Sequence, residues 1–376
     1  MKIRIGLSIL WISFISTYSF SQDVEVRKYS FINIKENKFT PVKNQAATGT
    51  CWNFSTTSMI ESELLRKGIG EFDLSEMFIV RNIYKEKAQN YILRQGTAQF
   101  GPGALGHDLI RGIATYGAMP EAVYSGLKEN QKDHNHNKLD DKLKKYCDSI
   151  LKQLQINPDW MTGFEKILDE ELGKVPHTFN YNGKTFTAKS FATDILKFNA
   201  DDYVNLTSFI NESFYKPMIV QVPDNFSNGM YYNIPLEELV QLTKTAIKNG
   251  FTILWDADVS NRGFNQKQGV ALLLKDEKNF PKFFNPEMEE KDYNATYRQK
   301  LYEELITQDD HLMHIVGLKK TETGKEFFEV KNSWGDIGNY NGFIQVSEAY
   351  FAVNTISLVV PKAALAKEFL TKIQIK

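Results

Sequence analysis

Cysteine is scarce here, with two in 376 residues, too few for a disulfide scaffold. A dominant charge is missing as well. Lysine and arginine total 45 against 46 aspartates and glutamates, and the two signs are interspersed. No electrostatic case therefore exists for a nucleic-acid partner. Beyond the first fifteen residues no apolar run is long enough to cross a bilayer. Internal repeats are absent, and the nearest thing to a low-complexity tract is Asp133-His134-Asn135-His136-Asn137. His134 and His136 have no cysteine or carboxylate in helical register, so they make a poor metal site. No cofactor is expected.

The extreme N-terminus carries its own message. Lys2 and Arg4 precede an apolar run from Ile5 to Ile15, and small residues follow at Ser19 and Ser21. Basic start, short apolar core and small residues describe a cleavable signal peptide over residues 1–21. The mature chain, 22–376, is then exported to the periplasm or the medium, with no membrane span left after cleavage. In such a compartment a free thiol is a liability unless function requires it.

One cysteine sits in a telling place. In Pro41-Val42-Lys43-Asn44-Gln45-Ala46-Ala47-Thr48-Gly49-Thr50-Cys51-Trp52-Asn53-Phe54-Ser55 a loop of small residues turns into an apolar-periodic run. Trp52 to Lys67 lacks Gly and Pro and stops at Gly68, which predicts a helix with a glycine cap. A cysteine in the first helical turn feels the positive end of the helix dipole, which favours the thiolate that attacks carbonyls. Gln45 lies six residues upstream, a spacing that lets its amide converge with the Cys51 N–H on one oxygen, an oxyanion hole. Cys147, in a charged helical pattern, reads as an ordinary helix residue.

Helices come first and strands later. Segments from Leu74 to about Leu93 and from His107 to Tyr116 read as helices, separated by the turn Gly101-Pro102-Gly103-Ala104-Leu105-Gly106. Further helical stretches run over Lys138–Leu154 and Trp160–Leu172. Strands are expected at Met218–Val222, Phe251–Trp255, Gly269–Leu274, His311–Lys319, Glu326–Val330 and Gly342–Ser347. This is an α+β arrangement with a cleft where the halves meet. Asp256 and Asp258 alternate on a strand and read mainly as caps of the turn that follows. His311 and His314, three positions apart, point to opposite faces of their strand, so one of them can face Cys51.

Gln-x5-Cys-Trp, a histidine six residues before a strand glycine (His311 to Gly317), and Asn332-Ser333-Trp334-Gly335 occur in that order. Together they resemble the papain superfamily of cysteine peptidases, a two-lobe fold with a helical and an antiparallel β lobe. The resemblance implies Cys51 as nucleophile and His311 as base. It makes Asn332 the acceptor that fixes the His311 tautomer, and Trp334 the cover over that bond. It also implies that the turn at Gly103 and Ala104 aligns peptide substrate. Cys51 and His311 are 260 positions apart, against about 130–150 in the usual signature.

A helical insertion of that kind resembles the bleomycin hydrolase and aminopeptidase C group. Leu74-Ser75-Glu76-Met77-Phe78, Gly229 to Leu236 and Trp255 to Ser260 match it as well. The helical lobe then spans about 45–124, the insertion about 125–214 and the β lobe about 215–362. The group implies a homo-oligomer and an aminopeptidase whose C-terminal carboxylate enters the cleft to capture the substrate's α-amine. Here Lys362 to Lys376 reads as short, helical and basic, unlike an extended tail. The segment before Cys51 also leaves no room for the inhibitory pro-segment of papain-type zymogens. Three readings stand: an aminopeptidase on short peptides, an endopeptidase with an open cleft, and a silent peptide-binding relative.

Overall fold

The computed structural model describes residues 28–276 and 281–375, so the expected leader lies outside the described residues. Helix α1 (Cys51–Arg66) opens on the cysteine itself and ends as Gly68 turns left-handed at φ 70°. Fourteen of its residues are buried, so it is a central helix rather than an amphipathic surface one. Several of its small polar side chains bond inside: the Thr56 hydroxyl donates to the Trp52 carbonyl at 2.5 Å. Helix α2 (Glu76–Leu93) starts from Ser75, whose hydroxyl accepts the Phe78 N–H at 3.1 Å, a cap worth about 1 kcal/mol. Helix α3 (Gly106–Tyr116) follows the glycine turn. Helices α4 (Leu139–Leu151) and α5 (Trp160–Leu172) pack on α2 and bury Leu143, Cys147, Phe164 and Leu168. Both cysteines are free.

The second half is an eleven-stranded, mostly antiparallel sheet. At its centre Tyr203–Thr207, Thr355–Pro361, Ile253–Ala257, His311–Lys320, Glu326–Lys331 and Phe343–Ser347 lie side by side. Ile32–Glu36 pairs with the far half of the His311 strand. Alternation sorts the faces. Leu254, Leu312 and Val359 join the core shared with α1, while Trp255, Met313 and Leu358 join a second core under the Leu236–Lys248 helix.

Two departures from the expected layout matter most for the sheet. Tyr203–Thr207, inside the stretch read as a helical insertion, pairs with Thr355–Pro361 and so belongs to the main sheet. Thr355–Pro361 was itself not expected as a strand. It is buried at every position, and a strand covered on both faces shows no alternation to read. The C-terminal helix Lys367–Lys372 docks on the outer side. Phe369 and Ile373 enter the second core beside Leu236 and Leu239, and Lys372 pairs with Glu238 at 3.3 Å.

Candidate active site

The N-terminus of α1 meets the start of the His311–Lys320 strand. The Leu312 backbone N–H faces the Cys51 sulfur, and one turn along α1 the Ser55 hydroxyl donates to the Leu312 carbonyl at 2.6 Å. No side chain caps this end of α1; the Asn53 and Phe54 N–H groups donate to the Thr50 carbonyl, which leaves those of Cys51 and Trp52 for a developing negative charge.

His311 and Asn332 are joined at 2.7 Å through ring Nε2 and amide Oδ1. That oxygen also accepts the Ser333 N–H at 2.7 Å, and Asn332 Nδ2 donates to Gln266 Oε1 at 2.9 Å. Both bonds fix which way the amide points. An amide oxygen only accepts, so Nε2 carries the ring proton and Nδ1 is left as the basic nitrogen. Trp334 lies over the imidazole, with centroids 4.6 Å apart and planes 31° apart. It keeps water off the Asn332 bond.

Gln45 is tied to the same corner. Its N–H donates to the Ser333 carbonyl at 2.8 Å, its Oε1 accepts the Ser333 hydroxyl at 2.6 Å, and its Nε2 donates to the Thr48 carbonyl at 3.1 Å. One amide hydrogen is thus committed to Thr48 and the second remains for a ligand. Trp52 is buried and donates its indole N–H to the Pro102 carbonyl at 3.0 Å, which pins the glycine turn to α1. Within that turn Ala104 is buried and Gly103 lies beneath the carboxylate of Asp224.

Burial dominates the electrostatics. The Cys51 thiol is pushed up to about 12 by burial, against the Leu312 N–H and with the added repulsion of Asp309, Asp224 and Asp256. His311 is pushed down to about 4 by burial, against the pull of Asn332. Burial thus opposes the depressed thiol expected from the helix end. Either charge alone is costly here.

His314 faces the other way. Its Nδ1 is 2.9 Å from the Ser58 hydroxyl of α1, which accepts from Lys331 at 2.8 Å, and burial holds it well below its ordinary range. Asp258 caps its turn as expected, accepting the Ser260 and Gln308 N–H groups at 2.8 and 3.0 Å. Asp256 does not. It is buried, accepts the Ser357 hydroxyl at 2.9 Å and faces Asp309, and burial raises it to about 7. His134 and His136 pack edge to face at 5.8 Å. Among the described residues no group of three metal-ligating side chains occurs, and no helix is long and apolar enough to cross a membrane.

Sequence reasoning missed two residues of the site. Ser333 could have been found, because it lies inside the Asn-Ser-Trp-Gly motif. Gln266 carries no local signal, standing 66 positions from the amide it holds.

A peptidase C1-like family profile matches residues 106–376, and a papain family cysteine protease profile matches residues 22–89. The chain is 25% identical over 374 residues to aminopeptidase G of Lactobacillus delbrueckii subsp. lactis, covering 87% of this chain and 82% of that one. It is 23% identical over 387 residues to bleomycin hydrolase of Gallus gallus, covering 88% and 82%. With aminopeptidase C of Listeria innocua the figures are 24% over 377 residues, 88% and 82%. The crystal structure of PepW from Lactobacillus rhamnosis superposes with a TM-score of 0.69 at 18% identity, covering 91% of this chain and 84% of that one. That likeness establishes the papain-like α+β fold.

Proposed function

The chain belongs to the peptidase C1-like family, and from that premise we propose that it is a thiol aminopeptidase acting on short peptides through Cys51, His311, Asn332 and Gln45. One observation carries the reading. Residues from three distant stretches converge: the Leu312 amide meets the Cys51 sulfur while His311, next to it, is held by Asn332 at 2.7 Å. Aminopeptidase action is favoured by the relatives named for it.

His311 Nδ1 takes the thiol proton as Cys51 sulfur attacks the carbonyl carbon of the first peptide bond. The oxyanion is met by the Cys51 N–H and the second amide hydrogen of Gln45. Collapse breaks the C–N bond, and the imidazolium returns its proton to the leaving amine. A water then gives its proton to His311, adds to the thioester carbonyl and releases the acid and the thiol.

The test is alkylation. Iodoacetamide should label Cys51 near neutral pH, and His311→Ala should slow that labelling by about 100-fold or more, since a lone buried thiol loses its proton acceptor. Equal labelling rates refute the pair. One feature favours a second reading, an endopeptidase. The helix Lys367–Lys372 packs into the outer core rather than the cleft. Equal cleavage of free and N-acetylated peptides would establish that alternative. Export rests on the N-terminal pattern and is checked by sequencing the mature N-terminus. A homo-oligomer rests on resemblance and is checked by light scattering.

A further inference from the structure

The connection from Val220 to Gly229, between strands Lys216–Ile219 and Met230–Asn233, is built against the glycine turn beside Cys51. Asn225 shapes it, donating to the Val220 and Gly229 carbonyls at 3.0 Å each and accepting the Gly229 N–H at 2.8 Å. Ser227 and Tyr231 engage the two ring nitrogens of His107, at 2.9 and 2.7 Å. Phe226 lies 5.1 Å from the Lys87 ammonium, which donates to the carbonyls of Gly101, at 2.8 Å, and of Gly103.

At its tip Asp224 lays its carboxylate over Gly103. A Cβ at that glycine would stand 1.8 Å from Oδ2 and 2.6 Å from Oδ1, so any larger residue would evict it. Gln99 donates to Asp224 at 3.3 Å, and among the described residues no lysine or arginine forms an ion pair with it. Its charge is nonetheless felt at the Cys51 sulfur. A half-buried carboxylate, pushed up by burial against the pull of the Lys87 ammonium, is thus fastened over the substrate-aligning turn, within electrostatic reach of the nucleophile.

We propose that Asp224 anchors the α-ammonium of the substrate and that the Val220–Gly229 loop is the stop at the amino-terminal end of the cleft. This rests on the aminopeptidase reading. Substrate aligned along Gly103 meets Asp224, which closes that end of its path. Its protonated amine finds a charge-assisted hydrogen bond there. A side chain thus takes the role that the resemblance gives to a C-terminal carboxylate.

The experiment compares wild type, Asp224→Asn and Asp224→Glu on one aminoacyl fluorogenic amide, with its amine free and N-acetylated. Wild type should favour the free amine. Asp224→Asn should raise KM for the free amine by about 10–100-fold with a smaller change in kcat, collapsing the free-over-acetylated ratio, and Asp224→Glu should restore part of it. Thermal unfolding reports whether each variant is folded. Should Asp224→Asn not fold, Gly103→Ala carries the same test, because its methyl displaces the carboxylate while leaving it in the chain. A wild-type ratio in folded Asp224→Asn, or in Gly103→Ala, overturns the anchor while leaving the aminopeptidase reading intact. No free-amine preference in the wild type removes the aminopeptidase reading itself.

Discussion

Asn332→Ala strips one bond from a buried ring, and its consequences can be worked out. The Nε2–H of His311 loses its acceptor at 2.7 Å in a site where His311 is buried. An unsatisfied buried donor costs about 1–3 kcal/mol, and the ring can escape that cost by moving its proton to Nδ1, the nitrogen that must accept from sulfur. Either route is expected to lower kcat/KM by about 5- to 150-fold. The pH profile carries a second signature. Asn332 raises His311 against the burial that brings it to about 4. Without it the pKa falls further, so the acid limb should move to lower pH as the plateau drops. Asn332→Asp should do the reverse, since a carboxylate favours the imidazolium. The assay is kcat/KM for a free-amine aminoacyl amide from pH 3.5 upward, on variants shown by thermal unfolding to be folded. An Asn332→Ala enzyme within twofold of wild type, with an unmoved acid limb, would refute the assignment.

Gln45→Ala should cost roughly 2–4 kcal/mol in the barrier, read as kcat, and wild-type turnover would remove Gln45 from the oxyanion hole. Glu121 is raised to about 8, first by burial and then by Glu76. A folded pKa above the unfolded one means its contribution is present below pH 4.5 and lost as pH rises through 8. Glu121→Gln should therefore gain stability over wild type between those values in chemical denaturation, and a constant difference would count against this. Gly106 starts α3 where a Cβ would meet Leu254 Cδ2 at 2.1 Å and Val359 Cγ2 at 3.1 Å. Gly106→Ala should destabilise by about 1–3 kcal/mol through overpacking, and an unchanged melting temperature would show that this seam is looser than it looks.

How far the sequence could be read follows from where each signal lives. The helix at Cys51 was legible because Gly68 closes it, and the strand at His311 because it ends in paired, regular neighbours. The chain order of Cys51, His311 and Asn332 was legible from motifs. The burial of Cys51 was not, because a local helix end is visible in sequence and the packing of distant segments over it is not. Thr355–Pro361 was missed for the same reason, being a strand enclosed on both faces. Gln266 and Asp224 were missed because their roles exist only through contacts made across the fold, to Asn332 and to Gly103.

The chain of side chains from His314 through Ser58 to Lys331, which also donates to the Thr40 carbonyl at 2.6 Å, sits immediately before Asn332. It stitches the helix that carries the sulfur to the strand that delivers the amide. A lesion at Ser58 would therefore show itself first as a misaligned catalyst, with turnover falling at temperatures where the protein is still wholly folded. Screens that score only abundance or melting would pass such a variant as healthy.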